Sequence, residues 1–174
     1  MVIGEKESVA RACPSPRGLQ TMNSSRLKRG LLIFWALWMT IVVSTNCLDA
    51  MKSLGWLPTT WKLRSSNYKL IRDTTAPFRM PTWANAVLFA GVIVWEALSA
   101  VLLWRAGMRF RATHDAAQVY PAFAVNLSLW AAFMLADELF IAPPVEAAHT
   151  RFFIAQLTTL LAIQLLPAEK ALDQ

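Results

Sequence analysis

Four stretches of the chain stay apolar for close to the ~20 residues that cross a ~30 Å hydrocarbon core. They are residues 30–48, 84–106, 119–141 and 150–166, the last and shortest closed by Pro167. No internal repeat or low-complexity tract accompanies them. The pattern predicts an all-α fold, a four-transmembrane-helix bundle with a partly helical outer connection between spans one and two. That connection, residues 49–83, exceeds the ~12–15 residues of a plain loop, and such loops carry structure or a role. Within it Ser66-Asn67 is placed to cap a short helix from Tyr68 to Arg72, with Pro77 and Pro81 ending it, and Trp56 and Trp61 suit a membrane surface. Pro143-Pro144 makes a tight link, so spans three and four should be antiparallel neighbours. The domain reading is therefore a disordered basic arm over residues 1–29, a four-span membrane domain over 30–168 and a short tail over 169–174.

Composition agrees. The 174 residues are 56% hydrophobic and 16% charged, against about 25% charged in soluble domains. Eight Trp and nine Phe suit the rings that sit at headgroup level. The net charge of +6 falls in stretches between apolar runs, where loops flanking spans carry it, and nucleic acid is set aside as a partner. Cys13 and Cys47 form no CxxC and flank the first span at opposite ends, which argues for unpaired thiols. Met22 opens a complete membrane-protein N-terminus, MNSSRLKRG before an apolar run, so it is a candidate true start. A cleaved signal peptide competes for the same region, but the run is long and Ser44-Thr45-Asn46 makes no A-x-A site. Lys and Arg in the arm and at Arg105, Arg109 and Arg111 favour cytoplasmic termini. Lys52, Lys62, Arg64, Lys69, Arg72 and Arg79 in the first connection pull the other way. MRFRATH, ending at His114, suits anionic headgroups.

The polar residues inside the apolar runs carry the candidate chemistry. Glu96 lies twelve residues into span two, ~18 Å deep at 1.5 Å per residue. A charge at the bilayer centre costs roughly 2.5–3.5 kcal/mol on insertion scales, so Glu96 is expected either protonated or partnered in the bundle interior. Val92, Ser99 and Ala100 flank it at helical spacing, and the last two are small enough for close packing. Asn126, Trp130, Phe133 and Asp137 share one helix face, as do His149, Gln156 and Thr159. Glu96, Asn126, Asp137, Glu138 and Gln156 are thus the intramembrane polar or relay candidates. Asn46, Asp49, Glu146, His149 and Arg151 should gather at the outer face, with Arg151 paired to Glu138. Asn126-Leu127-Ser128 matches a glycosylation site but lies inside a span. Glu146-x-x-His149 puts two metal-capable side chains on one face, and Glu138 could join them. Di-iron bundles need two such motifs and two more glutamates, so no cofactor is expected and a metal ion is the minority reading.

Asn46 and Asp49 at the end of the first span, Asn67-Tyr68 and Asp73-Thr74-Thr75 in the connection, Trp95-Glu96 in the second span, Glu138 with Phe140, and Arg151-Phe152 follow one another in a familiar order. By these pieces, over residues 26–166, the chain resembles the bacterial predicted small integral membrane proteins grouped as domain of unknown function 2165. Here Arg72 precedes Asp73, and Ile141-Ala142-Pro143-Pro144 replaces an aromatic-rich patch. The resemblance implies a four-span protein of a bacterial inner membrane and no activity.

Three functional classes follow from these observations. With no complete catalytic constellation, the leading one is a structural or accessory subunit of a larger membrane complex, partnered by the lipid bilayer and by other subunits or copies of itself. The alternative is a small proton- or cation-coupled transporter using Glu96. The third is a membrane metal-site protein using Glu138, Glu146 and His149.

Overall fold

The computed structural model describes residues 17–110 and 116–167, and every regular element among them is helical. In chain order they are α1 (Arg17–Ser53), α2 (Asn67–Thr75), a 3-10 turn (Ala76–Phe78), α3 (Thr82–Arg109), α4 (Ala116–Leu139) and α5 (Pro143–Leu165). Among the described residues, three helices are long and apolar enough to cross a membrane: Ser24–Ser53 within α1, Thr82–Arg109, and Ala117–Leu139 within α4. α5 matches them in length at 23 residues. It falls short in apolarity because Glu146, His149, Arg151 and Gln156 interrupt it.

The first helix corrects the expected arm. Residues 1–16 lie outside the described residues, but from Arg17 the backbone is helical, through the basic cluster that was expected to be disordered. Tertiary contact explains it. Lys28 Nζ donates to the Leu166 carbonyl at 2.9 Å, and Ser24 Oγ donates to that of Pro167 at 3.2 Å. An ammonium at the exposed carbonyls of a helix C-terminus is a favourable partner, so α1 gains from extending past its apolar run. The two contacts also bring both ends of the described chain to the same end of the bundle.

Turn chemistry ends the helices. Past α1, Gly55 takes φ +79°, Trp56 N donates to Met51 O and Gly55 N to Lys52 O, the paired bonds of a glycine-terminated helix. The same pair closes α4, from Ala142 N to Asp137 O and from Ile141 N to Glu138 O. There the left-handed position, φ +52°, is held by Ile141. A β-branched residue is strained in that region. Pro143 and Pro144 then open α5, where the missing N–H groups cost nothing.

α1 and α3 pack antiparallel along most of their length. Trp104 Nε1 donates to Thr40 Oγ1 at 3.0 Å, Asn46 meets Glu96, and Gly107 lies against Ile33. These pairs set a register in which Ser53 stands level with Phe89. The first two turns of α3 therefore rise past the end of α1, and α2 packs beside them. Tyr68 lies 5.5 Å from the Phe89 ring, and Thr75 Oγ1 donates to Asn85 Oδ1 at 2.8 Å. Gly107 packs tightly on α1: a Cβ there would sit 3.1 Å from Ile33 Cγ1 and 3.4 Å from its backbone nitrogen. Gly107→Leu is expected to lower stability by about 1–3 kcal/mol through overpacking, read as a lower melting point in detergent. An unchanged melting point would mean that α1 and α3 are not in this close contact.

Leu32, Met39, Leu103, Phe123 and Leu129 fill the interior. Trp130 stacks on Phe152 at 4.8 Å, joining α4 to α5. The outward surface is apolar on every long helix: Phe34, Leu37 and Ile41 on α1, Val94, Leu98 and Val101 on α3, Leu135 and Leu139 on α4, Ile154, Leu161 and Leu165 on α5. Soluble monomers do not expose apolar surface on this scale, and a bilayer accounts for it.

Candidate functional site

Asn46 and Asp49 are three residues apart, so both point from the same face of α1, and both are buried. Asn46 Nδ2 donates to the Glu96 carboxylate at 2.7 Å and 2.9 Å, one contact to each oxygen. Asn46 Oδ1 accepts from Asn67 Nδ2 at 2.9 Å. A continuous polar chain thus runs from α2 through α1 to α3. Its amide dipoles all present a donor toward the carboxylate. Glu96 is 2% exposed and faces the bundle interior with Asn46 as a partner, one of the two arrangements the sequence allowed. Its place relative to α1 follows from the helix register. The part of α3 that rises past α1 leaves Glu96 only seven residues, ~10 Å, below the end of α1.

Asp49 solves a second problem. The first turn of α2 contains no acidic residue, and its N-cap, Ser66, makes no capping bond with its side chain. The expected cap is supplied by another helix instead. Asp49 Oδ2 accepts the Tyr68 backbone N–H at 3.0 Å and the Ser65 hydroxyl at 3.3 Å, while Oδ1 accepts from Arg64 Nη1 at 2.7 Å. A carboxylate at a helix N-terminus satisfies free N–H groups and meets the positive end of the dipole. Asn67 N donates to Ser65 Oγ at 3.3 Å and Ser65 N to Thr45 O at 3.1 Å. The outer connection is thereby sewn onto the end of α1.

A second polar locus joins α4 and α5. His149 Nδ1 and Asp137 Oδ2 are 2.6 Å apart, and the imidazole stacks on Phe133 at 4.8 Å. Asp137, not Glu138, is the acid that meets α5. Glu138 and Arg151 are both exposed and form no ion pair with each other, which corrects the expected hairpin bridge. Glu146 is half-buried. Among the described residues no group of three or more His, Cys, Asp or Glu could hold a metal ion, so Glu138, Glu146 and His149 are not gathered into one. Of the expected outer cluster, Asn46 and Asp49 share one network and His149 belongs to another. His114 and Cys13 lie outside the described residues, and Cys47 is a half-buried free thiol.

A third feature lies deeper. Asn126 and Gln156 are fully buried, and no polar atom of either side chain has a hydrogen-bond partner, nor does Ser99 Oγ. The α4–α5 pairs Asp137–His149 and Trp130–Phe152 set a register that places Asn126 level with Gln156. The two amides face the bundle interior, as their helical spacing indicated.

Glu96, Asn67 and His149 line a common cavity of about 320 Å³ whose other walls are apolar, part aromatic and part aliphatic. Sequence reasoning missed Asn67 and Arg64 as members of the site. The usable signal was the Ser65-Ser66-Asn67 start of a helix without an acid of its own, three residues' spacing away from nothing that could serve it locally. No family model, curated protein or solved structure matches the chain.

Proposed function

We propose that the chain is a four-span integral membrane protein acting as a structural or accessory subunit of a larger membrane assembly. The observation that carries this is the use made of Glu96: its carboxylate is hydrogen-bonded by Asn46, and Asn46 by Asn67. A residue so engaged locks helices and a surface connection together, which is the role this reading gives it. α5 counts as the fourth span because its interrupting polar residues do not all face outward. Gln156 is buried and His149 is 20% exposed in its paired side chain, while Ile154, Leu161 and Leu165 form an outward apolar face. Lys and Arg distribution favours placing the shared end of α1 and α5 in the cytoplasm, and the resemblance implies a bacterial inner membrane. Membership in that family of small membrane proteins is proposed on the same residues, since Asn46, Asp49, Asn67, Tyr68 and Glu96 are also the ones joined in the network.

Extraction in mild detergent through a C-terminal tag tests the reading. A defined, stoichiometric set of larger membrane proteins is expected to co-purify. A chain recovered alone would sink it. Transport is the second reading, favoured by one observation: Glu96 and His149 line the same cavity. Glu96→Gln separates the two. As a subunit, the variant is expected to assemble within twofold of the wild-type level. As a proton- or cation-coupled carrier, it loses flux in proteoliposomes entirely.

A further inference from the structure

We propose that the cavity between the five helices binds a small lipophilic organic cation, an aryl or alkyl ammonium, with the Glu96 carboxylate as counter-ion and the aromatic walls as a cage. At about 320 Å³ it is at the small end of ligand sites, which are mostly apolar with a few placed polar groups. Trp38, Phe89, Trp130, Phe133 and Phe152 contribute its rings, and ring faces attract ammonium groups, most strongly where water is excluded. The charge is one-sided. Glu96 and His149 are the ionisable residues of the lining, and no Lys or Arg is among them. Behind His149 stands Asp137, at 2.6 Å.

Glu96 itself calls for a cation. A carboxylate accommodates about four donors, and Asn46 brings a single nitrogen. None of the ion pairs among the described residues involves Glu96. A buried carboxylate without an opposite charge avoids the cost only by taking up a proton, and a bound ammonium would supply that charge. The inference goes beyond a subunit role: it concerns what the isolated chain binds, whatever co-purifies with it.

Benzyltrimethylammonium is the probe, because it carries a fixed charge and fits the cavity's scale. Its neutral isostere, neopentylbenzene, has carbon in place of nitrogen. Titration of radiolabelled probe into the purified full chain in detergent is expected to show saturable binding at one site per chain. Neopentylbenzene should compete at least tenfold more weakly. Glu96→Gln should weaken binding at least tenfold. Ala148→Phe, which adds bulk to the α5 wall of the cavity at an exposed position, should weaken it at least tenfold at an unchanged melting point. Absence of saturable binding overturns the proposal, as does equal competition by the neutral isostere. Full-affinity binding to folded Glu96→Gln does the same. If Glu96→Gln fails to fold, undiminished binding to Ala148→Phe decides against it.

Discussion

Replacing Asn46 with leucine is expected to destabilise the protein by about 2–4 kcal/mol, and adding Glu96→Leu to the same chain is expected to restore most of the loss. The argument is one of asymmetry. Interhelical hydrogen bonds in membrane proteins are worth ~0.6 kcal/mol on average and ~1.7 at most, because the unfolded chain finds other partners in the bilayer. A simple loss of the Asn46 contacts would therefore be small. What Asn46→Leu leaves behind is larger: a carboxylate 2% exposed with no donor, and an Asn67 amide with no acceptor. Orphaning a buried charged group costs about 3 kcal/mol or more. Removing both ends of the Asn46–Glu96 contact takes away that penalty and leaves two apolar side chains in an apolar interior. The check is a double-mutant cycle by denaturant titration in micelles. A coupling of about 1.5 kcal/mol or more is expected. Single variants as stable as the parent would mean that the Asn46–Glu96 bond is not made.

Asp49→Ala is expected to have a comparable effect, about 2–4 kcal/mol, but to show it locally first. Asp49 is the shared acceptor of Arg64, Ser65 and the Tyr68 N–H. Without it, α2 begins with an uncapped N-terminus, and Arg64 loses its ion pair with a side chain only 3% exposed. The connection between α1 and α2 should then lift away before the long helices part. Trypsin cleavage after Lys62 and Arg64 is expected to accelerate at least tenfold in Asp49→Ala at a temperature where the bundle stays intact. The neighbouring pair of Lys69 and Asp73 serves as the contrast. It is an i,i+4 pair with side chains 75% and 60% exposed, and exposed pairs contribute little. Lys69→Ala should leave cleavage after Lys62 and Arg64 at the parental rate. Equal rates in Asp49→Ala and the parent would show that Asp49 does not hold the connection.

Hydrophobic pattern was enough to read the long helices, and turn and cap residues to read the α4–α5 hairpin at Pro143-Pro144 and a short helix after Ser66. Helical spacing also placed Glu96, Asn126 and Gln156 inward, because periodicity is local and survives folding. What could not be read depends on contacts between distant segments. α1 extends to Arg17 because Ser24 and Lys28 find carbonyls at the far end of the chain, and nothing near residue 24 announces them. Glu96 sits closer to the end of α1 than its position in α3 suggests, since register is set by pairs such as Gly107 with Ile33. Asp137 rather than Glu138 met His149, a choice between adjacent acids that a ~100° rotation per residue decides. Asp49 looked like a span-end residue of α1, whereas its role belongs to the N-terminus of α2.

The clasp between α1 and the end of α5 also orders events during synthesis. Ser24 and Lys28 are among the first described residues to be made, and their acceptors, 143 and 138 positions later, are among the last. At ~5–20 residues per second, about 7–28 s separate the two. Within that interval α3 is made and can pair with α1, α4 follows, and the side of α1 that will receive α5 stays open to lipid until α5 is made last. A nascent chain halted before Leu166 would hold every apolar helix and the Thr159 hydroxyl that meets Trp35, yet lack both carbonyls of the clasp.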